Sequence, residues 1–348
     1  MATTATQIDI GSFMGPRKVR EPDTSTTFQE LPIIDLADLE HPDRSRREAL
    51  AAKVYDACTQ VGFFYVKNHG VPKASIRNMT AETKRFFQQF PLEQKLKLSR
   101  EHSQYHLGYG EFEKEKRNGA RNAHQFESFL FGREAAFDPA FGARVDTQHD
   151  AANQWPQEDD LPGFKAAVGG YFGDQLTFSR KLIRIFALSL NMDEDYFEEM
   201  LDRPGCVMQM NHFERNPEAP EVNSTIHPHT DPELFTILYQ DGSVNALEVA
   251  NGDGVWVPAP PIEDTFVVNI GDAMSIWTNN IFVSTLHRAV SNTERFSIPF
   301  FFGVNYDVVM ETLPSCITET RPRRFESITA REHYLNKLND SYGASNGV

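Results

Sequence analysis

Between Cys206 and Val304 the chain never runs far without a turn, and this restricts the possible fold more than any other feature. Short β-type segments follow one another: Cys206 to Phe213, Thr236 to Gln240, Ala246 to Val249, Val255 to Val257, Thr265 to Ile270, Ala273 to Trp277, His287 to Val290 and Ser297 to Val304. Asp241-Gly242, Asn251-Gly252-Asp253-Gly254 and Gly271-Asp272 separate them. Evenly spaced short strands broken by Gly and Asp turns predict a sandwich or barrel. The expected fold class is mainly β with flanking helices, a double-stranded β-helix or jelly-roll core carrying a helical N-terminal region.

Inside this β region lies Ile226-His227-Pro228-His229-Thr230-Asp231. On an extended strand every second side chain shares a face, so His229 and Asp231 aim at one point. Two such groups rarely hold a metal alone. His287, in Thr285-Leu286-His287-Arg288, is the third candidate, returning from a distant strand of the same barrel. Two imidazoles and one carboxylate with open coordination positions suit non-haem Fe(II) and oxygen chemistry. Arg295 follows eight positions after His287, with Ser297 two residues on and on the same face. A planar guanidinium binds a carboxylate through two hydrogen bonds, and a hydroxyl adds a third.

The front half reads differently. Leu31 to Leu36 carries a short strand signal, Arg46 to Cys58 an amphipathic helix, Val61 to Asn68 a strand, and Ala74 to Gln89 a second helix. Pro91 to Lys95 opens another helix, since proline is tolerated in a first turn. Leu161 to Asn191 has apolar residues at three- and four-residue steps and predicts the longest helix, weakened by Gly169, Gly170 and Gly173. Pro322 to Tyr342 predicts a closing helix. Glu111 to Gly119 is a mixed-charge run, read as a solvated loop, with a substrate lid as the sharper option. The expected division is a flexible tail over 1–28, an N-terminal region over 29–160, the long helix and jelly-roll core over 161–320, and a C-terminal helix and tail over 321–348.

Composition removes whole classes of function. A net charge of -15 lacks the basic surface that nucleic acid or an anionic membrane requires. Three scattered cysteines, Cys58, Cys206 and Cys316, make neither a disulfide framework nor a zinc ribbon. With no apolar run of signal-peptide length at the N-terminus, the expectation is a cytoplasmic protein working on a small molecule.

The residues also carry a resemblance. The chain resembles the isopenicillin N synthase-like branch of the Fe(II)/2-oxoglutarate-dependent dioxygenases over most of its length, at Leu31 to Leu36, Val61 to Val71, Phe86-Phe87 with Pro91 to Lys95, Gly108-Tyr109-Gly110, and Asn153 to Pro156. His229-Thr230-Asp231 with His287 matches that family's metal triad, and Arg295-Phe296-Ser297 its pair for the distal carboxylate of 2-oxoglutarate. The resemblance implies an enzyme that uses Fe(II), O2 and 2-oxoglutarate, with ascorbate as a support in vitro. It converts 2-oxoglutarate to succinate and CO2 while hydroxylating, desaturating or cyclising a bound specialised metabolite. Asn211 fits a supporting role at the co-substrate. Phe213 stands where relatives often carry a tyrosine. Candidates to line the substrate pocket are Phe213, Leu238, Phe300, Phe302, Tyr105, His106 and Phe126. Three other readings compete: an oxidase of the same fold that does not consume 2-oxoglutarate, a non-catalytic small-molecule receptor on the same scaffold, and a cupin-type site built from His227, His229 and Glu233.

Overall fold

The computed structural model describes residues 6–8, 17–19, 28–103, 105–111, 126–141, 153–215, 224–242 and 244–342. Asp43 starts the first long helix, α1 (Arg44–Gln60), by accepting from the Ser45 amide at 3.0 Å. Leu50, Val54, Ala57 and Cys58 bury one face of it. The chain leaves α1 through Gly62 at φ +73, where a Cβ would meet the Val283 carbonyl oxygen at 2.1 Å, so only glycine fits.

An eight-stranded sheet forms the frame. In chain order its strands are β1 (Ile33–Asp35), β2 (Phe63–Lys67), β3 (Gly108–Gly110), β4 (Phe126–Gly132), β5 (Cys206–Phe213), β7 (Phe235–Gln240), β10 (Phe266–Ile270) and β12 (Arg295–Phe302). They lie side by side as β1-β2-β10-β7-β12-β5-β4-β3, antiparallel except for β1 with β2. A four-stranded sheet, β9-β8-β11-β6, faces it, from β6 (Ser224–His229), β8 (Leu247–Ala250), β9 (Trp256–Pro258) and β11 (His287–Val290). Phe63, Tyr65, Val249, Val257 and Val267 pack between the sheets. This is the expected jelly roll. One continuous sheet takes strands from both sides of the boundary drawn at residue 160.

The outer face of the large sheet is covered by the longest helix, α4 (Phe164–Ser189). Phe172 packs on Phe300 at 5.1 Å and Phe186 on Phe235 at 5.2 Å. Gly169 and Gly173 do not break this helix. They bring Phe137 close, since a Cβ at Gly169 would stand 2.2 Å from its ring and one at Gly173 2.5 Å from its carbonyl oxygen. The remaining helices are α2 (Lys73–Lys84), which continues as a wider π-type turn over Arg85–Gln89, α3 (Leu92–Lys97), α5 (Asp272–Trp277) and α6 (Ala330–Tyr342).

Two local expectations are corrected. The strand expected over Ala273 to Trp277 is the short helix α5. All six of its residues are buried, and a short run buried all round carries no period that separates helix from strand. The closing helix begins at Ala330 rather than Pro322. The side chain of Asn279 explains this: its Nδ2 donates to the Pro322 carbonyl at 3.0 Å and its Oδ1 accepts from the Arg324 amide at 3.1 Å, which holds that segment out of helix.

Within the expected tail, Thr6–Ile8 and Arg17–Val19 pair as short antiparallel strands. The rest of that tail up to residue 27, and 112–119 of the mixed-charge run, lie outside the described residues. Cys58, Cys206 and Cys316 are buried free thiols. Among the described residues no helix is long and apolar enough to cross a membrane.

Candidate active site

Two strands and one turn build the centre. His229 ends β6 and His287 begins β11, and the two residues are register partners across that antiparallel pair. β6 lies at the edge of its sheet, where Pro228 removes no ladder bond the fold needs. Asp231 sits in the turn that carries the chain from β6 across to β7 in the opposite sheet. The backbone there is held by a 2.8 Å bond from the Asp272 amide, at the start of α5, to the Asp231 carbonyl. One ligand atom each from His229, Asp231 and His287 lies within 4.8 Å of the other two.

Second partners aim these atoms inward. His229 Nδ1 donates to the His227 carbonyl at 2.8 Å and His287 Nδ1 to the Thr285 carbonyl at 3.1 Å, which turns both Nε2 atoms toward the centre. Those Nε2 atoms are 3.6 and 3.7 Å from Asp231 Oδ1. The other carboxylate oxygen, Oδ2, accepts from Thr236 Oγ1 at 2.5 Å and from Asn269 Nδ2 at 2.8 Å. Burial pushes Asp231 up, but the two imidazoles and these two donors together leave its carboxyl below the usual range. Two imidazoles beside an ionised carboxylate, each oriented by an outer hydrogen bond, form a donor set that fits Fe(II).

Strand alternation on β12 supplies the rest. Arg295, Ser297, Pro299 and Phe301 line a cavity of about 200 Å³ that His229, Asp231 and His287 also line. Asn211 on β5 pairs with Ser297, donating to its hydroxyl at 3.3 Å, and its own Oδ1 accepts from Gln209 at 2.6 Å. The Arg295 guanidinium carbon lies 3.4 Å from the centroid of the Phe213 ring. Burial pulls this guanidinium down to about 9, so it stays a cation near neutrality in a site that favours an incoming carboxylate.

Behind Arg295 is a buried polar network that sequence reading missed. Glu127 on β4 accepts from Lys95 at 2.8 Å, Tyr109 at 2.6 Å and His212 Nδ1 at 2.8 Å. His212 stacks on Phe296 at 4.7 Å, the residue between Arg295 and Ser297. Thr236, Asn269 and Lys337 were also missed. Only Thr236 had a local signal, five residues past Asp231; the others come from distant elements.

The substrate-lining candidates divide. Leu238 and Phe126 line the cavity. Phe213 backs Arg295 and stacks on Phe126 at 5.1 Å. Phe300 and Phe302 do not line it: they lie on the opposite face of β12 from Phe301, against Phe172 and Phe235. Tyr105 and His106 are not part of the lining either. Ser103 Oγ fixes their turn by accepting from the Tyr105 and Leu107 amides, each at 3.2 Å, and the turn leads into β3, an edge strand separated from β5 by β4. The cupin-type set is not assembled, because His227 and Glu233 are outside the converging group.

Comparison with known proteins agrees with this geometry. Residues 31–158 match the family described as non-haem dioxygenase in morphine synthesis N-terminal, and residues 204–304 the 2OG-Fe(II) oxygenase superfamily. A 2-oxoglutarate-Fe(II) type oxidoreductase, ppzC, of Metarhizium majus is 32% identical, covering 97% of this chain and 96% of its own. Homoarginine-6-hydroxylase 2-ODD-C23 of Glycine max is also 32% identical, covering 90% and 98%. A full-length Neurospora crassa protein, crystallised in complex with α-ketoglutarate, superposes with a TM-score of 0.77 at 25% identity, over 92% of this chain and 99% of that one. The chain therefore belongs to the 2-oxoglutarate/Fe(II) oxygenase superfamily, oxidoreductases that use Fe(II), 2-oxoglutarate and O2 on small molecules.

Proposed function

We propose that His229, Asp231 and His287 hold the iron, that Arg295 with Ser297 and Asn211 receives the distal carboxylate of 2-oxoglutarate, and that the enzyme oxidises a specialised metabolite. The observation that carries this reading is that both groups face one cavity. Bound iron would supply O2 activation coupled to decarboxylation of 2-oxoglutarate to succinate and CO2. The protein's part is position and dryness: Arg295 orients the co-substrate, while Phe63, Phe126, Leu130, Leu238 and Phe301 keep water from the reacting carbon. A homoarginine hydroxylase and an azadirone synthase of Melia azedarach among the relatives support a small organic substrate. Hydroxylation, desaturation and ring closure are separated by identifying the product.

Purified protein given Fe(II) and ascorbate is expected to convert 2-oxoglutarate to succinate slowly alone and faster with its substrate. A protein that binds iron but releases no succinate under any condition refutes the proposal.

A further inference from the structure

The C-terminal helix α6 is seated by polar side chains. Among its described residues only His333 and Lys337 are buried, 6% and 9% exposed, while Leu335 stays 43% exposed. A surface helix ordinarily turns its apolar residues inward, and a lysine is seldom buried without a partner. His333 and Lys337 are four residues apart and so leave one face of the helix together. What they bond is therefore what holds α6 in place.

Both reach the turn that carries Asp231. His333 Nε2 donates to the Pro232 carbonyl at 2.8 Å. Lys337 Nζ donates to Thr230 Oγ1 at 3.0 Å and to Asp272 Oδ2 at 2.7 Å, and Thr230 Oγ1 in turn donates to the same Asp272 oxygen at 3.0 Å. One anchor is thus placed on the residue before Asp231 and the other on the residue after it. The first residues of α5 grip the same turn, the Asp272 amide bonding the Asp231 carbonyl at 2.8 Å and the Ala273 amide the Pro232 carbonyl at 3.1 Å. Thr236 and Asn269 orient the Asp231 carboxylate, but these flanking bonds place the backbone from which it projects. Tyr334, between the two anchors, lines the cavity.

We infer that α6 braces the iron site, with His333 and Lys337 as positioning residues for Asp231, so that seating of this helix and binding of the metal strengthen each other. The coupling is reciprocal: the factor by which the seated helix tightens the metal is the factor by which the metal holds the helix seated. The inference rests on the reading above that Asp231 is a ligand, and it gives the C-terminal helix a part in the site.

Mn(II), a redox-stable ion that imidazole and carboxylate donors also bind, serves as the probe. Calorimetric titration measures its affinity, and hydrogen exchange follows the amides of residues 330–342 with and without it. In the wild type, saturating Mn(II) is expected to slow exchange in α6 about tenfold. His333→Phe keeps a ring but has no donor, and is expected to bind Mn(II) about tenfold more weakly and to lose that slowing. His333→Gln keeps a donor near the Nε2 position and is expected to retain most of the affinity. Asp138→Asn removes ion pairs at α4 and should leave Mn(II) affinity unchanged, which separates bracing from a general loss of stability. The inference is overturned if Mn(II) leaves α6 exchange unchanged, or if His333→Phe binds it like the wild type. It is also overturned if His333→Gln or Asp138→Asn binds as weakly as His333→Phe. The ligand reading fails separately, when Asp231→Ala binds Mn(II) as tightly as the wild type.

Discussion

The imidazoles of His229 and His287 face each other across neighbouring strands with ring centroids 4.2 Å apart, while both Nδ1 atoms are tied back to backbone carbonyls. This fixes which nitrogen each ring presents. Asp231 completes the set, with Thr236 and Asn269 occupying its outer oxygen.

Removing those outer donors is expected to loosen the metal site without removing a ligand. Thr236→Val and Asn269→Ala should each weaken iron binding by about 10- to 100-fold. Anaerobic metal titration checks this, and wild-type affinity in both variants would show that Asp231 needs no orientation.

Arg295→Lys keeps the charge but loses the fork. A hydrogen bond to a charged group contributes about 1.5 to 3 kcal/mol, so KM for 2-oxoglutarate should rise about 10- to 100-fold. Iron retention should persist. An unchanged KM would place the co-substrate carboxylate elsewhere.

Lys337 reaches from α6 into a buried cluster, where Asp272 also accepts from Ser284 at 2.6 Å. Lys337→Met leaves the Asp272 carboxylate without its cation, at a cost of about 3 to 5 kcal/mol. The double variant Lys337→Met with Asp272→Asn should recover part of the loss, and denaturant unfolding of the two measures it.

Helix propensity alone predicts that Gly173→Ala stabilises α4 by about 1 kcal/mol. The Phe137 carbonyl 2.5 Å from the new Cβ predicts the reverse, a loss of about 1 to 3 kcal/mol through overpacking. Thermal melting decides the sign.

Asp138 is held by Arg180 through bonds of 2.8 Å to both oxygens and by Arg133 at 3.0 Å. Burial raises its carboxyl, but these guanidiniums outweigh burial and bring it from the ordinary 3.8 to about 2. Because the folded value is depressed, this contributes about 2 kcal/mol above pH ~4, lost as pH falls toward ~2. Stability measured across that window should fall less steeply in Asp138→Asn than in the wild type.

What the residues alone determined was whatever rests on local period and spacing. Alternation placed His229 and Asp231 together, the Gly and Asp turns implied short strands and so a jelly roll, and helical steps marked α4. Arg295 and Ser297 shared a face for the same reason, and the family resemblance tied them to 2-oxoglutarate. The tertiary structure decided everything that depends on which face of an element is covered. Phe301 meets the cavity, on the face that Arg295 and Ser297 already mark, while Phe300 packs on Phe172 of α4 and Phe302 on Phe235 of β7; the run Ile298 to Phe302 is apolar on both faces, and only the packing shows what covers the second one. Asn269, Glu127 and Lys337 reach the site from β10, β4 and α6, and long-range pairing of this kind leaves no trace in sequence spacing.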